Sequence, residues 1–276
     1  MKRFNKALIL CAALSFAACS GETGGETRGG AGGKADSVGG AWLERVEADV
    51  AQLKKDDPKL WRILSTAEGM PTRAGFLRLR GKNVNKSVAA SVFLTRYLEE
   101  RDAGKRVAFI DALPRTGGQY EDAIVELMDS ENDDTVRSFM VAVMGDGKTA
   151  ASVQGIRKGF ADKSIKVRTE AAVAASRNDA GVQLAAELQT ALSDDSSAVR
   201  AAAARALGVH KVDGAKATLA QRLSDADGTV RLQAVLALSR IDRGFLAAQP
   251  DLARLAQDED LRVRKAVAAK VTRADR

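Results

Sequence analysis

The sequence of 276 residues predicts an all-α chain, a right-handed solenoid of about six helix-turn-helix units. Three observations lead there. A unit of 31–33 residues recurs along the chain, marked by an Arg that usually follows a Val. Within each unit, small apolar residues return at helical spacing. Aromatic residues make up only 4% of the chain, so Ala must fill the core, which suits helices packed closely together. Of the 4 Pro residues, Pro58, Pro71 and Pro114 lie early in the chain, leaving most of the remainder free to run as successive helices.

Residues 1–18 read as an export signal. Met1, Lys2, Arg3 and Lys6 form a positive start, and residues 7–18 form an uncharged apolar run. That run is shorter than the roughly 20 residues a membrane-spanning helix needs. It ends in Ala17-Ala18-Cys19, which resembles the bacterial lipobox, with Phe16 standing where that motif prefers Leu. The resemblance implies lipid on Cys19, which would become the first mature residue. Ser20 in the following position implies onward transport to the bacterial outer membrane, facing periplasm or surface. Ordinary cleavage after Ser20 is the alternative, since Ala18 and Ser20 satisfy a small-x-small rule, and would give a soluble periplasmic or secreted protein. The only cysteines are Cys11 and Cys19, so the mature body is expected to fold without a disulfide.

Residues 19–40 are a Gly-rich tether with no apolar face to bury. Residues 41–84 are expected to cap the stack. Trp42, Leu43, Val46, Val50 and Leu53 lie on one helical stripe, and Leu60, Trp61, Leu64 and Met70 form a second apolar patch. At the other end Lys265, Lys270, Arg273 and Arg276 are expected to make the outer side of the last helix polar.

The repeat solenoid spans 85–276. Its marker residues are Arg106, Arg137, Arg168, Arg200, Arg231 and Arg264, and an acid stands six positions before each: Glu100, Glu131, Asp162, Asp194, Asp225 and Asp258. After each Arg, small residues at offsets of three, four, six and seven make one stripe, as in Ala171, Ala172, Ala174 and Ala175. Further amphipathic stretches precede the Arg at 120–128, 151–160, 182–192, 215–223 and 246–255. Polar turns rich in Ser and Asp, which cap helix N-termini, separate the two.

This pattern resembles HEAT repeats, in particular the short bacterial HEAT-like type found in phycobilin lyases and many scaffolds. The resemblance covers roughly 85–276. In that family the turn acid and the helix Arg pair within and between repeats, forming a structural ladder. By match, the rungs would be Asp162 with Arg168, Asp194 with Arg200, Asp225 with Arg231, and Asp258 with Arg264. Glu131 with Arg137 and Glu100 with Arg106 would be variants.

No catalytic constellation emerges. His210 is the only His and no free Cys is expected in the mature body, so neither a Ser-His-Asp set nor a zinc site has its usual parts, and no cofactor or metal is expected. Asp194-Asp195 and Asp258-Glu259-Asp260 lack the ligand spacing of a calcium loop and read as caps. The net charge of +7 is spread along the chain without a basic block, which argues against nucleic acid.

The expected binding surface is the curved inner face made by the second helices, at Phe139, Ala142, Glu170, Val173, Ala202, Arg205, Gln233 and Leu236. The resulting expectation is a non-catalytic scaffold contacting another envelope protein, held at the membrane by lipid on Cys19. The rival readings are a partner-dependent lyase-type module and a HEAT-like nucleic-acid-binding protein.

Overall fold

The computed structural model describes residues 40–66 and 86–271. The export signal, Cys19 and the tether before Gly40 lie outside these residues. So do Met70 with the rest of 67–85, Arg273 and Arg276, and the side chains of Leu64 and Lys270.

The body is an all-α solenoid. Among the described residues every regular element is helical. Two helices, α1 (Gly40–Asp56) and α2 (Pro58–Thr66), precede six helix pairs. The pairs are α3 (Lys86–Glu99) with α4 (Ala103–Thr116), α5 (Glu121–Ser130) with α6 (Asp134–Met144), and α7 (Ala150–Phe160) with α8 (Ile165–Arg177). They continue with α9 (Ala185–Ala191) and α10 (Ser197–Val209), then α11 (Lys216–Gln221) and α12 (Gly228–Ile241). The last is the divided pair α13 (Arg243–Ala247) and α14 (Leu252–Leu255) with α15 (Leu261–Val271). Each second helix from α6 to α12 packs on the second helices before and after it.

The first helix of the last unit departs from the continuous 246–255 stretch expected from sequence. Pro250 falls in its middle, lacks an amide hydrogen and disfavours helical geometry at Gln249, so the chain divides into α13 and α14. The two preceding first helices are shortened by 3₁₀ turns at Gly181–Leu184, Asp213–Ala215 and Arg222–Ser224.

The small-residue stripes are the seams of the stack. Ala171, Ala172, Ala174 and Ala175 of α8, Ala203, Ala204, Ala206 and Leu207 of α10, and Ala234, Val235, Ala237 and Leu238 of α12 are all fully buried. Leu184, Leu188, Leu192, Leu219 and Leu223 supply the bulk from the first-helix side, each 0% exposed. Gly208 marks a close approach between two second helices. A Cβ there would stand 2.6 Å from the Ala237 Cα and 2.8 Å from its Cβ.

Helix α1 covers the start of the stack through the stripe read from sequence. Trp42, Val46, Val50 and Leu53 are all buried, and Leu43 packs against them half-buried. Polar contacts fix its position. Trp42 donates its ring N–H to Glu126, Arg45 meets Asp122 at 3.3 Å, and Asp49 accepts from the hydroxyls of Ser87 and Ser91 at 2.7 Å. Trp61 is half-buried under the Lys54 ammonium, 4.5 Å from its ring centroid. No helix among the described residues is long and apolar enough to cross a membrane.

Removing a helical glycine normally stabilises a helix by about 1 kcal/mol. Gly208→Val should do the opposite, costing about 1–3 kcal/mol by forcing α10 and α12 apart. Gly214→Ala, where nothing stands within 4 Å, should change stability by less than about 0.5 kcal/mol. Urea unfolding of the two variants beside the parent checks both.

Candidate functional site

Two features of the second helices bear on function: the ladder that joins the units, and the face those helices leave uncovered.

Each ladder guanidinium serves two units. Arg168 donates from Nη1 to the carbonyls of Asp162 at 3.0 Å and Lys163 at 3.1 Å in its own turn. Its Nε and Nη2 grip the carboxylate of Asp194, in the next unit, at 2.7 and 3.1 Å. Arg200 does the same with the carbonyls of Asp194 and Asp195 and the carboxylate of Asp225. Arg231 holds the carbonyls of Asp225 and Ala226 and the carboxylate of Asp258. Arg137 joins the carbonyls of Glu131 and Asn132 to Asp162. The within-unit partners expected from sequence therefore meet through a main-chain carbonyl, while the charge-to-charge bond runs one unit further. The reason is geometric. The planar fork aims its Nη1 edge back at its own turn and its Nε–Nη2 edge outward, where a planar carboxylate of the next unit matches it.

The ends of the ladder vary. Arg106 reaches Glu131 through one nitrogen at 3.0 Å, and Tyr97 shares that carboxylate through its hydroxyl at 2.6 Å. Burial, with the Glu131 carboxylate beside it, drives the Tyr97 phenol well above its usual range, so it stays a donor. Arg264 holds the carbonyls of Asp258 and Glu259.

The acids also shape the turns. Oδ1 of Asp162, Asp194, Asp225 and Asp258 accepts from the amide two residues on. The N-cap of the second helix sits at that same place. Asp133 and Asp227 each accept from two amides of the first turn of their helices. Asp194 and Asp260 thus serve as turn and cap acceptors. Among the described residues no group of three or more His, Cys, Asp or Glu is arranged to hold a metal ion.

Burial and electrostatics agree on the ladder's strength. The Arg231 and Asp258 side chains are 6% and 2% exposed. The guanidinium bond from Arg168 holds the Asp194 carboxyl below its usual range, and Arg231 does so for Asp258. Burial works against the charge of Asp162 and Asp225, but Arg137 and Arg200 with the turn amides outweigh it, and these carboxyls also lie low.

Sequence reading missed a second set of bonds between units. Asn178 and His210 stand at the same place in successive units, ten residues beyond Arg168 and Arg200. Asn178 donates to the carbonyls of Met144 and Gly147 at 2.9 Å, and the His210 ring Nε2 lies 2.7 Å from the carbonyl of Ala175. His210, the single histidine, is half-buried. Lys158 and Arg254 reach the carbonyls of Val125 and Leu223 on the first-helix side. Asn178 and His210 reach carbonyls at or just past the ends of α6 and α8, where the helix leaves acceptors open. The equal spacing of Asn178 and His210 was the available signal.

The residues proposed for the binding face all reach solvent. Phe139, Ala142, Glu170, Val173, Ala202, Gln233 and Leu236 are half-buried and Arg205 is exposed. They lie two or five positions after the ladder Arg, opposite the buried Ala stripe on each helix. Arg177 joins two of these helices, donating to the Ala142 carbonyl at 2.7 Å and approaching Glu170 at 3.6 Å and Asp146 at 3.9 Å. Burial pushes the Glu170 carboxyl up against the opposing pull of Arg177.

Residues 184–272 match the family described as HEAT repeats. A crystal structure of an engineered protein is similar at 19% identity with a TM-score of 0.48, covering 72% of this chain and 95% of that one. No curated protein matches the chain. The segment from the fourth to the sixth helix pair is thus similar to HEAT repeats in sequence.

Two predictions follow from the rung Arg137–Asp162, whose side chains are 7% and 12% exposed. Asp162→Ala should cost about 3 kcal/mol by stranding a buried guanidinium, and adding Arg137→Met should recover only part of that loss, because the Glu131 and Asn132 carbonyls then lose their donor, as read from a double-mutant cycle in urea. The ladder carboxyls are depressed in the folded state, so their contribution is complete above the unfolded value of about 3.9 and is lost as pH falls through the lower folded values. The urea midpoint should hold from about pH 7 to 5 and drop below about pH 4, and Asp162→Asn should make that drop shallower.

Proposed function

We propose that this protein is a non-catalytic, protein-binding scaffold of the bacterial envelope, held at a membrane through lipid on Cys19, with the uncovered face of its second helices as the binding surface. HEAT repeats in general suit protein–protein interaction scaffolds. The observation that carries the reading is a contrast between two sets of side chains. The ladder arginines Arg137, Arg168, Arg200 and Arg231 are committed to four hydrogen bonds each or more. On the opposite arc of the same helices, Val173, Ala202, Leu236 and Phe139 stay partly open to solvent. Partly apolar side chains on a rigid frame gain by burial against a partner and lose little entropy in doing so.

The export signal and the Gly-rich tether support a location outside the cytoplasm. Lipid on Cys19 with a tether would hold the body away from the bilayer while leaving the face free.

Crosslinking in intact cells, followed by recovery of the tagged protein, tests both parts. The parent should enrich one envelope protein, and Ala142→Glu with Ala202→Glu should lose it while keeping its helicity. Cys19→Ala should move the protein out of the membrane fraction. Capture that survives the two Glu substitutions would remove the face from this role, and a membrane fraction unchanged by Cys19→Ala would remove the anchor.

A further inference from the structure

The second-helix face changes its charge along the stack. In the α6–α8 region its cation is neutralised, because Arg177 stands 3.6 Å from Glu170 and 3.9 Å from Asp146. Beyond α8 the compensation ends. The sequences of α10, α12 and α15 contain no Asp or Glu at all. On their uncovered arc stand Arg205 of α10 and Arg240 of α12, five and nine positions after their ladder arginines. Both are exposed, and among the described residues neither has a carboxylate partner. The same two helices carry apolar side chains that reach solvent. Ala202, Leu232 and Leu236 are half-buried, and Val209 is 43% exposed.

We infer that this stretch of the face takes an acidic, partly apolar segment of a protein partner, with carboxylates on Arg205 and Arg240 and apolar side chains against Leu232, Leu236 and Val209. The inference rests on the scaffold reading and narrows the partner's chemistry. The ladder arginines Arg137, Arg168, Arg200 and Arg231 already grip carboxylates, so on this arc of α10 and α12 it is Arg205 and Arg240 that offer an incoming carboxylate an unmatched fork. Selectivity comes from the charge and affinity from apolar burial, because an exposed ion pair alone contributes little. A nucleic acid fits less well. It needs a longer row of cations and rings to stack on, and α10, α12 and α15 carry no aromatic residue.

The test uses the full-length protein and three fluorescein-labelled 14-residue peptides with Leu at helical spacing, the other positions being Glu, Gln or Lys. A single-stranded oligonucleotide of matched charge is the fourth probe. Anisotropy should show the Glu peptide binding about ten-fold more tightly than the Gln peptide, with the Lys peptide weakest. Arg205→Ala with Arg240→Ala should erase the Glu-over-Gln preference and leave the Gln peptide unchanged, and Leu236→Glu should weaken both. Equal binding of Glu and Gln peptides, no binding of the Glu peptide, or tighter binding of the oligonucleotide would overturn the inference. So would a dimer in sedimentation that the Arg double variant dissolves, since the occupant would then be a second copy. If the acid preference is absent while Ala202→Glu still loses its envelope partner in cells, the inference fails and the scaffold stands. If Ala202→Glu keeps that partner, the scaffold face itself fails.

Discussion

The structure depends on a guanidinium that belongs to two units at once. Its Nη1 closes the turn of its own unit, and its Nε–Nη2 edge takes the carboxylate of the next. Without that shared group two turn carbonyls would lose their side-chain donor, and the carboxylate would keep only its turn amide. Ala seams are close but smooth, so the rotation between neighbours rests on this fork together with the Asn178 and His210 bonds to the preceding unit. The fork supplies direction where packing supplies only proximity. The carboxylate it holds also accepts from the turn amide, so the bond between units and the geometry of the cap are set by the same atoms.

Much of this was legible in the sequence, and the part that was not had a physical cause. The spacing of Val-Arg and of the preceding acid locates every unit, and the Ala stripes locate the seams. Spacing alone does not say which edge of a guanidinium meets which acceptor. Two acids stand at similar reach, six residues back and about 25 ahead, and only the fold decides between a carbonyl and a carboxylate. His210 and Asn178 were missed because one is a ring and the other an amide, and their shared task of satisfying carbonyls of the previous unit leaves no compositional trace. Pro250 was visible, yet a stretch of apolar residues around it masked its effect on the final first helix.

The face proposed for binding was legible in a weaker way. Offsets from the ladder Arg give the arc of each helix that neighbours cannot cover, and the residues on that arc are all partly or fully open. What periodicity could not give was the electrostatic difference along it. That difference lies in which arginines have partners: Arg177 is enclosed by Glu170 and Asp146, whereas Arg205 and Arg240 are not.

The ladder also has a consequence for how such a chain can change over generations. The seams at Arg137, Arg168, Arg200 and Arg231 present the same fork to the same kind of carboxylate, so a crossover between two of these Val-Arg sites adds or removes one whole unit without altering the joint. Length is then a freely varying trait, in quanta of 31–33 residues, while pitch is inherited unchanged. An insertion of any other size inside a second helix would turn the downstream fork away from its acid and break the register at a single seam. The molecule is therefore tolerant of duplication and intolerant of slippage, and a population of its descendants should differ in the number of units far more readily than in their spacing.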